Sequence, residues 1–305
     1  MTDLTKFRGV FVPVVTIFNE DGSICERRTR RFIDYLIEEC GVHGIFCPGS
    51  TGDYTLLTLE ERKELIRAAV EVAGGRVPVL AGSGHNATHI ALELSQYAQS
   101  VGADGVLVSL PHYPRPTQTG LHAHFRTLGE ALSVPVMVYS YPAGMGLDIE
   151  LETIVRLANE GWIAGIKDSI DDTDHTVNII REVGDRIAVF TGMDAKFLPV
   201  LVMGGVGLIG TAANVAPKRF VAIWDAFQRG DLPAARKLQT EVMPLCSLVA
   251  YEQAATKAAL EAMGFPVGAH RLPITPAESE TVKRIRAVVS DLGLLGSLEH
   301  LVGVK

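Results

Sequence analysis

The sequence predicts an α/β fold, a closed (β/α)8 TIM barrel followed by a C-terminal helical extension. Eight short apolar segments rich in β-branched residues alternate with longer segments of helical periodicity, and no G-x-G-x-x-G motif follows the first of them. Strands that are apolar throughout and separated by amphipathic helices indicate a parallel sheet covered by helices, and eight such units close a barrel. The missing glycine motif disfavours the alternative, a doubly wound open sheet.

The predicted strands follow one another at regular intervals. They begin at Gly9, Gly44, Val77, Gly105, Val134, Ile163, Ile187 and Gly205. Between them lie helix signals: in "LTLEERKELIRAAVEVAGG", Thr58 and Glu61 have capping-box spacing, and Gly74 is placed to end the helix.

Two further segments with helical character follow the eighth unit. They are "LPAARKLQTEVMPLCSLVAYEQAATKAALEAMG" and "PAESETVKRIRAVVSDLGLL", and no low-complexity linker separates them from the preceding units. We therefore predict a barrel over residues 1–229 and a helical extension over residues 230–305 that packs against it.

Composition and charge exclude several classes of protein. Of the 305 residues, 47% are hydrophobic and 21% are charged, which is typical of a globular chain with a large core. The net charge of -7 and the scattered Lys and Arg residues offer no basic surface for nucleic acid. No apolar stretch approaches the roughly 18 to 20 residues of a membrane span, and "MTDLTKFRGV" lacks the apolar core of a signal peptide. We expect a cytoplasmic protein with no nucleic-acid and no membrane partner.

The cysteines indicate reduced thiols. Cys25, Cys40, Cys47 and Cys246 are widely spaced and form no C-x-x-C pair. This pattern argues against a disulfide framework and against a zinc cluster.

Candidate site residues lie where the predicted strands end, because the carboxyl ends of the strands carry the active sites of such barrels. Strand two runs into "PGSTGD", in which Gly49, Ser50 and Thr51 offer hydroxyls and backbone N–H groups suited to a carboxylate or phosphate. Ordinary turn formation would also explain this stretch. The later strand ends present Tyr113, Tyr139, Tyr141, Lys167, Gly192, Asp194 and Ile209. Aromatic core packing of the tyrosines and helix capping by Asp194 are the alternatives.

Lys167 ends the apolar run of "IAGIKDS". Burial lowers the pKa of an amine, so a lysine at the apolar mouth of a barrel can attack a ketone and form a Schiff base. The iminium nitrogen withdraws electrons from the neighbouring carbon and permits C–C bond chemistry without a metal or cofactor. An ion pair with Asp168 or Asp194 is an alternative that the residues leave open.

The same chemistry needs a group that moves a proton. Tyr139 is one strand away from Lys167, and the hydroxyls of Ser50 and Thr51 can link it to another phenol such as Tyr113.

Five motifs, in order, carry a family resemblance that extends over nearly the whole chain. They are "GSTGD", "LPHYPRPTQTGLHAHF", "VYSYP", "GIKDS" and "TGMD". They resemble the motifs of the dihydrodipicolinate synthase and N-acetylneuraminate lyase family of Schiff-base aldolases. The resemblance implies that Lys167 forms the Schiff base, that Tyr139 relays protons and that Ser50 and Thr51 bind the carboxylate of pyruvate. It also implies that Tyr113 reaches into a neighbouring subunit's site in a homotetramer built from two dimers.

One departure from the family pattern affects the expected substrate. Members that bind the dicarboxylic precursor of lysine carry an arginine shortly after the Y-N-x-P motif, and this chain has Gly144 at the matching position. The motifs are closest to those of 2-keto-3-deoxygluconate aldolases, in which Tyr141 and Asp194 would face sugar hydroxyls. Ser140, where those enzymes have asparagine, and Met193 leave the sugar acid open.

We therefore expect a class I aldolase, a lyase that uses pyruvate and an aldehyde and makes or cleaves a 2-keto-3-deoxy sugar acid. The alternatives on the same Schiff base are condensation of the dihydrodipicolinate synthase type and dehydration or decarboxylation of a keto acid.

Two alternatives do not use the Schiff base. A metal-dependent aldolase would need His85 with His89, or His122 with His124, but neither pair comes with a third ligand at a strand end. A non-catalytic sensor that keeps the pocket for pyruvate-like ligands is the second.

Overall fold

A computed structural model of the chain describes residues 4–250 and 253–302. Its eight parallel strands pair in chain order, and the last pairs with the first, so the sheet closes into a barrel. The strands are β1 (Gly9–Pro13), β2 (Gly44–Cys47), β3 (Val79–Gly82), β4 (Gly105–Ser109), β5 (Val136–Ser140), β6 (Gly165–Asp168), β7 (Ala188–Thr191) and β8 (Gly207–Ile209). Every strand residue is buried, as expected for parallel strands covered by helices, and the closed strand order confirms the predicted barrel.

Several strands begin one or two residues later than the sequence predicts. Two of them begin directly after a proline, Pro78 before β3 and Pro135 before β5. Proline has no N–H group to donate to the ladder, although both carbonyls still accept, from Ile45 and Val106. The apolar run therefore extends beyond the regular pairing.

The helices alternate with the strands and continue beyond them. They are α1 (Glu26–Glu38), α2 (Leu59–Ala73), α3 (Thr88–Ser100), α4 (Gln118–Ala131), α5 (Pro142–Met145), α6 (Leu151–Asn159), α7 (Thr173–Val183), α8 (Phe197–Val202), α9 (Pro217–Gln228), α10 (Leu232–Val249), α11 (Gln253–Ala262) and α12 (Ser279–Asp291). At the start of α2, Thr58 and Glu61 form the predicted capping box, and Gly74 ends the helix in a left-handed conformation with φ of 53°.

Short 3-10 turns connect several strands to the helices that follow. Ser50–Gly52 and Tyr54–Leu56 follow β2, Asp194–Lys196 follows β7, and Thr211–Asn214 follows β8. These turns lie at the carboxyl ends of the strands and therefore at the mouth of the barrel.

The C-terminal helices pack against the barrel, as predicted. Val242 of α10, Leu260 of α11 and Val289 of α12 are fully buried in one apolar cluster with Val12 of β1. The division at residues 229 and 230 stays a prediction, and it falls in the turn between α9 and α10. Some residues of these predictions lie outside the described residues. They are residues 1–3 at the start of the predicted barrel range, and residues 251, 252 and 303–305 of the predicted helical extension.

The four cysteines are free thiols, with Cys40, Cys47 and Cys246 buried and Cys25 partly buried. Within residues 4–250 and 253–302, none of the helices has the length and apolar character that crossing a membrane requires.

Gly44 leaves space for the aromatic ring of Phe11 inside the barrel. Phe11 is fully buried, with its ring 5.3 Å from that of Phe190 in an edge-on contact. A Cβ atom on Gly44 would lie 2.1 Å from Cε1 of Phe11. The close packing of the barrel interior therefore depends on the absence of a side chain at Gly44.

We predict that Gly44→Ala destabilises the protein by about 1–3 kcal/mol, the usual cost of overpacking a core. The free energy of unfolding from urea titration measures the effect. The double variant Gly44→Ala/Phe11→Leu should lose less than the sum of the two single variants, because the smaller side chain leaves space for the new methyl group. Additive losses would contradict the steric explanation.

Candidate active site

Lys167 lies at the barrel mouth, near the end of β6, and pairs in register with Tyr139 of β5 and Phe190 of β7. Its side chain is only 4% exposed. Its Nζ atom lies 4.1 Å from the centre of the Tyr139 ring and 5.6 Å from the centre of the Phe46 ring. Burial lowers the pKa of the Lys167 amine to about 7, although the nearby Asp194 charge opposes the shift. A substantial fraction of the amine is therefore neutral and nucleophilic at neutral pH.

Two carboxylates close to Lys167 in sequence or space have other partners. Asp168 accepts a hydrogen bond from the Thr176 hydroxyl at 2.6 Å and lies 3.2 Å from His175 Nδ1. Asp194 accepts the backbone N–H of Ala212 at 3.1 Å, and burial raises the pKa of its carboxyl to about 6. Within the described part of the chain, no carboxylate oxygen lies within 4.0 Å of Lys167 Nζ. The alternative of a direct ion pair with Asp168 or Asp194 is therefore wrong, and the Asp194 charge acts on Lys167 from a longer distance.

Tyr139 places a protonated phenol beside the amine. Burial raises the pKa of this phenol, and the Ser50 hydroxyl donates to its oxygen at 3.4 Å. The predicted pairing of Tyr139 with the Ser50 hydroxyl is therefore present. A phenol that keeps its proton at neutral pH can act as a general acid.

The segment between β2 and α2, which we call the hydroxyl loop (residues 49–57), carries Ser50 and Thr51. Thr51 Oγ1 lies 2.9 Å from Thr211 Oγ1, so this hydroxyl loop contacts the loop after β8. The Gly52 carbonyl accepts the Thr16 hydroxyl at 2.6 Å, and a Cβ atom on Gly52 would lie 2.6 Å from the Val14 carbonyl oxygen. Close backbone contact is the physical reason for glycine at this position.

A cavity of about 190 Å³ opens above these groups. It is lined by Ser50, Thr51, Tyr139, Tyr141, Lys167, Ser169, Gly192, Met193, Thr211, Val249 and Ala250. The structure thus brings together six of the predicted site residues, namely Ser50, Thr51, Tyr139, Tyr141, Lys167 and Gly192. A Cβ atom on Gly192 would lie 2.7 Å from Cε of Lys167 and 1.8 Å from the Ser169 hydroxyl oxygen, so Gly192 provides the space for the lysine.

Four predicted site residues lie outside the lining of this cavity. Gly49 borders a smaller neighbouring cavity together with Ser50 and Tyr139. Asp194 is turned to the Ala212 N–H, and Ile209 is fully buried in β8 opposite Phe11. Tyr113 is 80% exposed, in the segment between β4 and α4. Their roles in binding or catalysis stay predictions.

Sequence reasoning missed part of the lining. Ser169 and Met193 lie within the quoted motifs "GIKDS" and "TGMD", so their sequence positions carried a signal, although neither is among the predicted site residues. Val249 and Ala250 come from the end of α10 and carry no local signal, because only the packing of the C-terminal helices brings them to the barrel mouth.

Three of the four histidines in the candidate metal pairs have hydrogen-bond partners unrelated to a shared metal. His122 Nε2 lies 2.7 Å from Glu160, His124 Nδ1 lies 3.0 Å from the Thr88 hydroxyl, and His85 Nδ1 accepts the Ala87 N–H. Residues 4–250 and 253–302 hold no cluster of three or more His, Cys, Asp or Glu side chains with the spacing of a metal site. That the enzyme uses no metal and no cofactor stays a prediction.

Comparisons with known proteins agree with this geometry. Residues 6–292 match the model of the dihydrodipicolinate synthetase family. The chain is 37% identical over 294 residues to a 4-hydroxy-tetrahydrodipicolinate synthase of Methanopyrus kandleri, covering 95% of this chain and 98% of that protein. The fold is similar to that of dihydrodipicolinate synthase from Aquifex aeolicus, with a TM-score of 0.91, 32% identity, and coverage of 95% and 99%.

A second solved structure was determined in complex with pyruvate. It is a prophage protein of the dihydrodipicolinic acid synthase family from E. coli K12, with a TM-score of 0.89, 33% identity, and coverage of 94% of this chain and 99% of that one.

We predict that Lys167 in the folded protein reacts with a neutral amine-directed reagent at a rate that rises with pH through about 7 and then levels off. The lowered pKa is the reason, since only the neutral amine is a nucleophile. In the urea-denatured chain the rate for the same lysine should rise with a midpoint at about pH 10.4, the ordinary pKa of lysine. Mass spectrometry of the Lys167 peptide measures both profiles, and identical profiles in the two states would contradict the effect of burial.

Proposed function

Because the chain belongs to the dihydrodipicolinate synthetase family, whose members are carbon–carbon lyases that form a lysine Schiff base, we propose that Lys167 forms this bond with pyruvate. A larger 2-keto acid that contains a pyruvate unit would react in the same way. The observation that carries the proposal is the buried Lys167 amine, with a pKa lowered to about 7, beside the Tyr139 phenol in an open cavity.

The reaction follows from these groups. The neutral amine attacks C2 of pyruvate, and loss of water from the addition product leaves an iminium ion. The positive nitrogen draws electrons from C3, which loses a proton and becomes the nucleophilic carbon of an enamine. Its attack on an aldehyde carbon forms the new C–C bond, and water then releases the product from Lys167. Cleavage is the same sequence in reverse.

We assign the proton transfers of this sequence to Tyr139. Its phenol lies beside the Lys167 amine and accepts a hydrogen bond from Ser50, so a proton has a path from the reacting atoms into the hydroxyl loop. The hydroxyls of Ser50 and Thr51 line the same cavity and are suited to hold the carboxylate of pyruvate.

The aldehyde is the less determined half of the reaction. The named relatives support condensation of the dihydrodipicolinate synthase type, in which pyruvate adds to aspartate semialdehyde. This was the alternative in the sequence analysis, and the relatives support it better than they support cleavage of a sugar acid.

One observation favours cleavage of a 2-keto-3-deoxy sugar acid as a second candidate. The cavity continues into a neighbouring one of about 210 Å³, whose lining includes Tyr141, Asp171 and Asp172. Among the described residues that line the two cavities, Lys167 is the only cation. Hydroxyl and carboxylate groups are suited to the neutral hydroxyls of a sugar, although Lys196 Nζ lies 3.9 Å from the Asp171 carboxylate and offsets part of its charge.

Gly144 adds to this argument. A Cβ atom at Gly144 would lie 2.3 Å from the Tyr141 ring, so an arginine side chain there would require that ring to move. Gly144 therefore stands where family members that bind a second carboxylate carry an arginine, and Tyr141 occupies part of the space that such a side chain would need.

We also propose that the protein works as a cytoplasmic homotetramer, a dimer of dimers. The family resemblance implies that Tyr113 reaches into a neighbouring subunit, and its 80% exposure leaves its ring available for such a contact.

We predict that Lys167→Ala abolishes the covalent adduct that borohydride forms from the wild-type protein and pyruvate, while circular dichroism stays unchanged. Tyr139→Phe should still bind a keto acid but lose about 10² to 10⁴ in kcat, the usual range for a positioned general acid or base. Intact-mass spectrometry and steady-state kinetics measure the two effects. A normal adduct in Lys167→Ala would refute the Schiff-base proposal.

We predict that the two candidate aldehydes separate by kcat/KM. If the acidic lining selects a sugar acid, as the second candidate requires, cleavage of 2-keto-3-deoxy sugar acids should exceed condensation of pyruvate with aspartate semialdehyde. Tyr141→Phe, which removes one hydroxyl, should then raise KM for the sugar acid by the factor that corresponds to about 0.5 to 1.5 kcal/mol, the net contribution of a hydrogen bond. Pyruvate trapping should stay unchanged. Faster condensation than cleavage of every sugar acid tested would select the synthase candidate.

A further inference from the structure

A buried ion pair joins the hydroxyl loop to the C-terminal helices. Lys257 Nζ of α11 lies 2.6 Å from Asp53 Oδ2, and both side chains are only 1% exposed. The two residues are 204 positions apart in the sequence. Lys257 Nζ also lies 4.7 Å from the centre of the buried Phe18 ring, so the ammonium group has a second favourable contact.

Asp53 is tied to the site residues through the backbone. It follows Ser50–Gly52 directly, and its N–H donates to the Ser50 carbonyl at 3.0 Å. Its φ of 57° is the only left-handed conformation among the described residues other than glycine. Aspartate tolerates this conformation better than most residues, yet the conformation is sparsely populated and persists only where the surroundings hold it.

A second cation from the C-terminal segment holds the other end of the hydroxyl loop. Arg271 donates to the Leu56 carbonyl at 3.1 Å and to the Gly22 carbonyl at 2.8 Å. It also pairs with Glu61 in the first turn of α2. The hydroxyl loop is therefore bound near its middle by Lys257 and near its end by Arg271.

Burying a full ion pair is a poor way to stabilise a fold, because the cost of removing two charges from water offsets most of their attraction. Apolar residues of similar size would fill the same space at least as well. The pair does, however, fix one atom of Asp53 at one position, three residues after Ser50 and two after Thr51. Such fixation matters for hydroxyls that must meet a ligand at hydrogen-bond distance.

We infer that Lys257 and Arg271 are positioning residues for pyruvate: they hold the hydroxyl loop so that Ser50 and Thr51 meet the carboxylate. The inference rests on the proposed function, since it assigns these hydroxyls to pyruvate. The C-terminal segment thereby contributes to substrate binding twice, through Lys257 and Arg271 and through Val249 and Ala250 in the cavity wall.

The test measures the pyruvate concentration at half-saturation of borohydride trapping, which needs no second substrate. The double variant Asp53→Asn/Lys257→Met removes both charges together, so no unpaired charge is left buried. Its half-saturation concentration should rise about 10- to 100-fold, the range for losing hydrogen bonds to a charged group, while the trapping rate at saturation changes less than about threefold. Arg271→Lys, at a partly exposed position, should raise half-saturation about threefold to tenfold. Lys257→Arg, which keeps the charge, should retain more affinity than the double variant.

Val289→Ala is the matched control. It removes buried methyl groups from α12 in the same C-terminal segment and lowers the melting temperature without touching the hydroxyl loop. Its half-saturation concentration should equal that of the wild type. Wild-type affinity in both the double variant and Arg271→Lys, or an equal loss in Val289→Ala, would overturn the inference. Failure of the wild-type protein itself to trap pyruvate would instead overturn the proposed function, and the inference with it.

Discussion

The cost of keeping a charge out of water is the constraint on which this site depends. The Lys167 amine sits among aromatic rings at the mouth of a closed barrel, where the hydration that its protonated form loses outweighs the attraction of the rings and of the Asp194 charge. The barrel both buries the lysine and leaves it reachable, because its strands cover the side-chain stem while its open carboxyl end leaves the nitrogen accessible to a ligand. A lysine one residue further along the strand would point away from the barrel interior.

The neighbouring charges are arranged so that this cost is not cancelled. Asp168 is held by Thr176 and His175, and Asp194 by the Ala212 N–H, so neither carboxylate closes on the amine. Gly192 leaves the space that the lysine side chain occupies. The position of each carboxylate relative to Lys167 therefore depends on hydrogen bonds among its neighbours, and substituting a hydrogen-bond partner would alter the charge that the Lys167 amine experiences.

Much of the fold and the centre of the site followed from local sequence. Eight apolar runs indicated the barrel, and a lysine at the end of one of them was recognisable because burial and charge conflict at that point. Proline positions shortened two strands, an effect that hydrophobic pattern alone does not reveal. Val249, Ala250 and the Asp53–Lys257 pair were not predictable, since they depend on how helices far along the chain pack on the barrel. The predicted role of Tyr113 depends on a neighbouring subunit, and that of Asp194 depends on the ligand. Local sequence specifies neither of these.

The separation of Asp53 from Lys257 has a consequence for protein synthesis. A ribosome has already delivered all eight strands and the reactive lysine by residue 209, yet the groups that hold the hydroxyl loop are still to be made. Domains generally fold as units during translation, and here the last helices complete the pocket. A nascent or prematurely terminated chain that contains Lys167 but stops before Lys257 therefore lacks the side chains that hold the hydroxyl loop.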